Sequence, residues 1–213
     1  MLESEGQDED NHTDRGMEAG RQEANRKFHQ GFCEIPWEKI WIPDGIPGNG
    51  LMKAVMKYPG SKWGIADWII SFFPEHHSYL EAFFGSGAVL FNKPRSNIET
   101  VNDLDGNVVN LFEWIKKDPE KLAHEIYFTP YARAVYENAF ALVPEDSLQK
   151  AVNFYIRLNM GHGFRTNGEK VGWKNDVQGR ERAYAAADWV KLPGKILQAA
   201  ERLRGVQIES RPD

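Results

Sequence analysis

The sequence predicts an α/β fold in which a parallel sheet is interrupted by a long, mainly helical insertion. Three observations carry that reading. Strand-like apolar runs alternate with helical spacings from Lys57 to residue 116, the pattern of a parallel sheet with right-handed crossovers. The run Tyr79-Leu80-Glu81-Ala82-Phe83-Phe84-Gly85-Ser86-Gly87-Ala88-Val89 breaks into Gly-x-Gly. Asn102-Asp103-Leu104-Asp105 then follows about twenty residues on, and a strand, a glycine turn and an acid ending the next strand together describe a pocket for an adenosine-bearing cofactor.

Each element has its own local reason. Residues 1–27 are rich in Glu, Asp, Gln, Asn and Gly, so they bury too little to offset their ordering entropy and are expected to be disordered. Phe28 to Pro47 holds Phe32, Ile35, Trp37, Ile40, Trp41 and Ile42 between prolines, either as a strap on the body or as a segment foreign to the fold. Met52 and Met56 stand just before the first motif, which places the start of the ancestral domain there and makes 1–51 an extension. Gly64 to Phe73 has a helical spacing at Ile65, Trp68, Ile69 and Phe72, stopped by Pro74. Tyr79–Phe84 reads as a buried strand, Gly85–Phe91 as a turn entering a short helix, and Ile98–Asn102 as the second strand. Asp105 is placed to cap a helix carrying Val108, Val109, Leu111, Phe112 and Ile115, and Asp118-Pro119 starts the next. Further helices are expected near Pro130–Leu142, Asp146–Met160 and Pro193–Arg204, with a polar loop over Gly161–Gly179 and a third strand at Val206–Glu209.

Composition bounds the rest. The 213 residues, 41% of them hydrophobic, suit one globular domain with a small inserted subdomain. No run approaches a membrane span and the N-terminal stretch is too acidic and polar for a signal peptide, so a soluble, cytoplasmic protein is expected. Cys33 is the only cysteine, which excludes an internal disulfide, and no Cys/His spacing resembles a zinc site. The net charge of −5 is uneven: residues 1–51 hold 5 Lys/Arg against 11 Asp/Glu, leaving 21 basic and 20 acidic residues in 52–213. Phosphate binding therefore depends on local clustering and cannot be read from the total.

Gly85 and Gly87 allow close backbone approach, and the amides that open the following helix offer donors to a ligand. By itself Gly-x-Gly is a weak signal, since a tight turn with no chemical use has the same pattern. Asp103 strengthens it, because a carboxylate at that strand end accepts from both ribose hydroxyls. Asp103 as a helix cap is the plainer reading, but Asp105 is better placed for that job. Tyr58-Pro59-Gly60-Ser61-Lys62 is a Pro-Gly turn that presents a ring and an ammonium four residues apart, and alone it reads as a surface turn. His76, His77 and His162 have no carboxylate or second ligand spacing and receive no chemistry.

Together, Tyr58-Pro59-Gly60-Ser61-Lys62, Glu81-Ala82-Phe83-Phe84-Gly85-Ser86-Gly87 and Asn102-Asp103-Leu104-Asp105 resemble, in order and spacing, the motifs of the Dam-like, alpha-class DNA adenine-N6 methyltransferases. Those read aromatic-x-x-Gly-Lys, Glu-Pro-Phe-x-Gly-x-Gly and Asn-Asp-x-Asn. The resemblance implies the N-terminal half of a Rossmann-like, S-adenosylmethionine-dependent methyltransferase fold with a mainly helical inserted recognition region. It implies a cofactor half-domain at 52–117, a target-recognition insertion at 118–190, and a helix and third strand at 191–213. Tyr58 and Lys62 would flank S-adenosylmethionine, Phe83 to Gly87 would cradle its methionine end, Asp103 would hold the ribose, and Glu81 counts among the cofactor-binding residues. Ala82 replaces the family's proline, which frees one φ angle and restores an amide hydrogen. The segment Asn159–Gly168 resembles the loop that approaches double-stranded DNA. Arg165, Asn167, Lys170, Lys174, Arg180 and Arg182 would supply phosphate and base-edge donors there, with Trp173 and Tyr184 as wedges.

The family's catalytic motif, Asp/Asn-Pro-Pro-Tyr/Phe, does not occur in residues 1–213, and Asp118-Pro119-Glu120 lacks the second proline and the ring. No catalytic residue and no metal ligand is therefore assigned. An incomplete chain is expected, inactive alone, with its first strand exposed as a sheet edge and a separate polypeptide as the partner that completes it. Two other readings stand beside this one: a non-catalytic DNA-binding or cofactor-binding remnant, and a nicotinamide-type dehydrogenase, which the Tyr58/Lys62 turn and the Phe83-Phe84 pair argue against.

Overall fold

The computed structural model describes residues 54–141, 144–163, 165, 168–175 and 185–212. The expectations for residues 1–51, and those for Asn167, Arg180, Arg182 and Tyr184, lie outside the described residues. The described residues fall within one compact unit, Ile46–Asp213.

Three short parallel strands form the sheet: β1 (Ser78–Glu81), β2 (Ile98–Asn102) and β3 (Gln207–Glu209), in the order β1-β2-β3. Ser78 pairs with Ile98 and Glu81 with Val101, while Thr100 pairs with Gln207 and Asn102 with Glu209. The second strand coincides with its expected span and the third nearly so. The first stops at Glu81, short of Phe84, and the Phe84 amide then bonds the Asn102 carbonyl at 2.9 Å.

Asp105, Asp118 and Asp146 each cap the start of a helix, while the helices Ala66–Ile70, Ala88–Asn92 and Leu192–Leu203 begin without a side-chain cap hydrogen bond. A short 3₁₀ turn, Trp63–Ile65, leads into α1 (Ala66–Ile70), shorter than the sequence suggested because Ser71 turns its hydroxyl back onto the Trp68 carbonyl at 2.7 Å. The short α2 (Ala88–Asn92) follows Gly87, and α3 (Gly106–Lys117) is capped by Asp105, whose side chain accepts from the Asn107 amide at 2.9 Å. Asp118 caps α4 (Pro119–Phe128), which opens on proline. Next come α5 (Arg133–Ala141) and α6 (Ser147–Met160), the latter capped by Asp146. Last are α7 (Ala185–Val190), which the sequence did not suggest, and α8 (Leu192–Leu203).

Strands in sequential order, joined by crossovers of one hand, leave every connecting helix on one face of a sheet. The side chains follow that rule. Glu99 and Val101 are buried beneath the helices, whereas Leu80 is 64% exposed and Ile98 46% exposed on the opposite face. The β1 edge carries no further strand among the described residues. The core lies on the helical side, where Phe84 packs edge-on against Phe112 at 4.6 Å and Leu111, Ile115, Leu122, Ile126, Tyr155, Leu158 and Ile196 are fully or almost fully buried.

Candidate functional site

The carboxyl ends of β1 and β2 bring the glycine turn and the acidic segment into direct contact. The Gly85 amide donates to Asp103 Oδ2 at 2.7 Å, and the Asp105 amide to Asp103 Oδ1 at 2.9 Å. Each Asp103 oxygen thus spends one lone pair on the backbone and keeps another for a ligand. Asp103 caps no helix, and Asp105 does.

The Tyr58–Lys62 turn closes on the same point. Ser61 and Ser86 share a hydrogen bond at 2.8 Å between hydroxyls. The Tyr58 hydroxyl donates to Asp105 Oδ2 at 3.2 Å, and burial, with Asp105 and Asp103 alongside, pushes its pKa well above the usual phenol value. Lys62 Nζ turns back to the Gly60 carbonyl at 2.5 Å. All three motifs are therefore latched together by side chains. Neither the serine pair nor the Tyr58–Asp105 bond is legible in the sequence, since each joins residues 25 and 47 positions apart.

The glycines serve packing within the loop. Gly85 has φ +48° and a Cβ there would stand 3.3 Å from the Tyr58 ring; Gly87 has φ +68° and a Cβ would stand 2.6 Å from Phe91 and 2.7 Å from Phe84. Rings of the protein itself occupy the space that glycine leaves. The loop in turn presents Phe83, 79% exposed, and the acidic corner presents Leu104, 63% exposed. Two exposed apolar side chains beside a pair of hydrogen-bond-accepting carboxylates suit a cationic nucleoside bearing ribose hydroxyls.

Glu81 has a different environment from the rest of the set. It lies on the helix-covered face, where Oε2 accepts from the Tyr79 hydroxyl at 2.9 Å and the Leu90 amide at 3.1 Å. Burial pushes its pKa up to about 7 against the pull of those two donors and of Lys93 and Arg202. At the opposite ends of β1 and β2 is an open cleft of ≈ 710 Å³ lined by Phe73, His76, His77, Lys93 and Arg95. Its cations are already engaged: Lys93 by Glu99 at 2.7 Å, and Arg95 by the Glu201 and Arg204 carbonyls. Ligands in open α/β sheets bind at the carboxyl ends of strands, which favours the Asp103 corner.

The loop after α6 returns across Gly161, which bridges Trp173 in antiparallel sense. Arg165 is exposed and paired with Glu169, and Lys170 lies 3.7 Å from Glu137. The Lys174 carbonyl accepts from the Tyr131 hydroxyl at 2.6 Å. Exposed pairs of this kind are worth little and exchange readily for phosphate. Trp173 is half-buried, its ring 5.8 Å from Tyr131 and beneath the Arg133 guanidinium at 4.8 Å. It is packed as a support and does not project as a wedge. Among the described residues no cluster of three or more His, Cys, Asp or Glu is placed to hold a metal, and no helix is long and apolar enough to cross a membrane.

A parallel three-stranded sheet with its helices on one face, carrying an acidic corner latched to a glycine loop, is compatible with an α/β methyltransferase fold. Residues 58–161 match the D12 class N6 adenine-specific DNA methyltransferases. The DNA N-6-adenine-methyltransferase of Escherichia phage P1 is 26% identical over 114 residues, covering 51% of this chain and 15% of that protein. The family match falls on the stretch that carries the three latched motifs and, with the phage protein, supports a likeness of residues 58–161 to the Dam-like DNA adenine-N6 methyltransferases; the chain spans only a small part of the phage protein's length.

Proposed function

We propose that this chain supplies the S-adenosylmethionine-binding half and the DNA-recognition region of a site-specific DNA adenine-N6 methyltransferase. The observation that carries the proposal is the 2.7 Å bond from the Gly85 amide to Asp103, reinforced by the Tyr58–Asp105 and Ser61–Ser86 contacts. When bound, S-adenosylmethionine supplies an electrophilic methyl group on a sulfonium. The free lone pairs of Asp103 would take the ribose hydroxyls, and Phe83 and Leu104 would cover the apolar faces. Tyr58 and Lys62 would close the outer side. Glu81 supports the site from beneath, through the start of α2, and makes no direct contact in this reading.

Arg165, Lys170 and Lys174, with Asn167, Arg180 and Arg182, are the proposed contacts to double-stranded DNA in the 118–190 insertion. Adenine's exocyclic amine is a weak nucleophile, and these enzymes are understood to flip the base and hold that amine between an Asp/Asn side chain and a carbonyl of the Pro-Pro-aromatic motif. No such motif lies in residues 1–213. Methyl transfer by this stretch therefore calls for a further segment, in the same polypeptide or another. Pairing that segment on the open β1 edge would complete the sheet.

Calorimetry tests the reading. The 213-residue chain is expected to bind S-adenosylmethionine and not NAD, and Asp103→Ala to weaken binding at least about ten-fold, the loss of a bidentate charged hydrogen-bond acceptor. With DNA and cofactor supplied, the same chain should transfer no methyl group unassisted. Equal affinity for the two cofactors, or an Asp103→Ala variant that binds like the parent, would refute the assignment.

A further inference from the structure

Arg133 is a cation that the proposed function leaves unused. It opens α5, is exposed, and forms no ion pair or hydrogen bond among the described residues. Glu137 stands one helical turn further on, where opposite charges often pair, but it is turned to Lys170 at 3.7 Å. In place of a counter-ion Arg133 has a ring: its guanidinium carbon lies 4.8 Å from the centre of the Trp173 indole.

That ring is fixed from several sides. Trp173 stands 5.8 Å from the Tyr131 ring, and Tyr131 in turn 6.2 Å from that of Trp189. Trp189 is buried and its Nε1 donates to the Thr129 carbonyl at 2.9 Å, while the Tyr131 hydroxyl donates to the Lys174 carbonyl at 2.6 Å. The Gly161–Trp173 bridge ties Trp173 to the residue that ends α6. A row of three rings, anchored at its buried end, carries a guanidinium at the other. Stacking holds the plane of the group and leaves the N–H donors around its edge unspent.

The same bridge marks the root of the loop that leaves α6. Arg165 lies beyond it, in a turn where the Gly168 amide donates to the Arg165 carbonyl at 3.2 Å. Arg133 and Trp173 stand at the root itself. When a loop enters a DNA groove, its outer turn meets base edges and its root lies beside the strands that wall the groove. A cation held at the root is placed for phosphate.

We propose that Arg133, held flat on Trp173, contacts a backbone phosphate of double-stranded DNA beside the groove that this loop enters. The inference rests on the proposed function, and it gives the packed position of Trp173 a purpose. A guanidinium ordered in advance loses little side-chain freedom on binding, whereas Arg165 and Lys170 must each first leave a carboxylate.

The test is fluorescence anisotropy on the 213-residue chain, with duplexes of several unrelated sequences titrated across a range of salt. Arg133→Gln is expected to weaken binding to every duplex alike, by about three- to ten-fold at low salt, and to lower the salt slope by about 1. Arg133→Lys keeps the charge and should keep the slope, while losing part of the affinity because an ammonium stacks poorly on a ring. Trp173→Leu should weaken binding in the parent and add nothing in the Arg133→Gln background. If the Leu variant does not fold, Trp173→Phe, a weaker platform, takes its place in the cycle. Unchanged binding in Arg133→Gln, a loss of affinity at unchanged slope, a loss confined to one sequence, or effects of Arg133 and Trp173 that simply add would each overturn the inference alone. Failure of the parent chain to bind DNA overturns the recognition half of the proposed function and this inference with it.

Discussion

Gly87 shows how narrowly a single residue is constrained in this loop. Its φ of +68° is a conformation that side chains rarely adopt, and a Cβ would collide with the rings of Phe84 and Phe91 at 2.6–2.7 Å. Those rings belong to the core cluster with Phe112 and have no room to retreat. Gly87→Ala is therefore expected to lower stability by about 2–4 kcal/mol in denaturant titration. Gly64 is the control: a Cβ there meets nothing within 4 Å, and Gly64→Ala should be neutral or slightly stabilising. Equal losses at both positions would remove the packing explanation for Gly87.

Two glutamates on the same sheet face respond to pH in opposite directions. Glu81, raised by burial from 4.5 to about 7, keeps its proton while the unfolded chain ionises. Stability is consequently greatest on this account below 4.5, falls as pH rises toward 7, and stays reduced above it. For Glu99, burial opposes ionisation, but donors from Arg202, Lys93 and the Ser96 amide outweigh it and hold the carboxyl at about 2. Its contribution is present above 4.5 and lost as pH falls toward 2. Glu81→Gln, which can accept the same two hydrogen bonds, is expected to abolish the decline between 4.5 and 7 seen in urea midpoints. A decline of unchanged size would assign that titration to another group.

Among the elements, the Lys93–Glu99–Arg202 cluster fastens the end of α2, the middle of β2 and the last turn of α8 with contacts of 2.7, 2.6 and 2.8 Å. The Lys93 side chain is only 1% exposed, and Glu99 is its counter-ion there. Glu99→Gln should cost about 3–5 kcal/mol, because it strands a buried ammonium, whereas Arg204→Gln, at an exposed pair, should cost well under 1 kcal/mol. Thermal unfolding of the two variants side by side checks the contrast.

What the sequence made legible follows from the range of the interaction. The Asp105 and Asp118 caps, the strand at Ile98–Asn102 and the helix at Ser147–Met160 depend on residues within a turn of one another, and each was found where its local pattern placed it. The shortening of α1 came from a side chain competing for backbone, which the apolar spacing of Trp68 and Phe72 concealed. The short α7, Ala185–Val190, lacks a strong start signal and takes its place by burying Ala185 and Trp189. At the site, Gly85 and Asp103 were expected together and are bonded. Glu81 was assigned by its motif position, and its bonds to Tyr79 and Leu90 depend on which face of the strand meets helices.

For the molecule as a whole, the consequential feature is a sheet that the described residues clothe on one side only. Parallel sheets are ordinarily covered on both faces. Among the described residues, Leu80, Ile98 and the Thr100–Gln207 pair lie on an uncovered face, next to a β1 edge whose backbone groups have no strand partner. Exposed apolar surface beside a free edge promotes association, whether with a completing segment or with another copy. The 213-residue chain alone is therefore expected to self-associate with rising concentration in sedimentation velocity runs. Leu80→Lys combined with Ile98→Lys should suppress that association while leaving the proposed cofactor binding at the Asp103 corner intact, because both changes fall on the face away from Glu99, Val101 and the helices. A monomeric parent chain at high concentration would mean that the bare face is covered by residues beyond those described. Association that persists in the double variant would place the contact elsewhere.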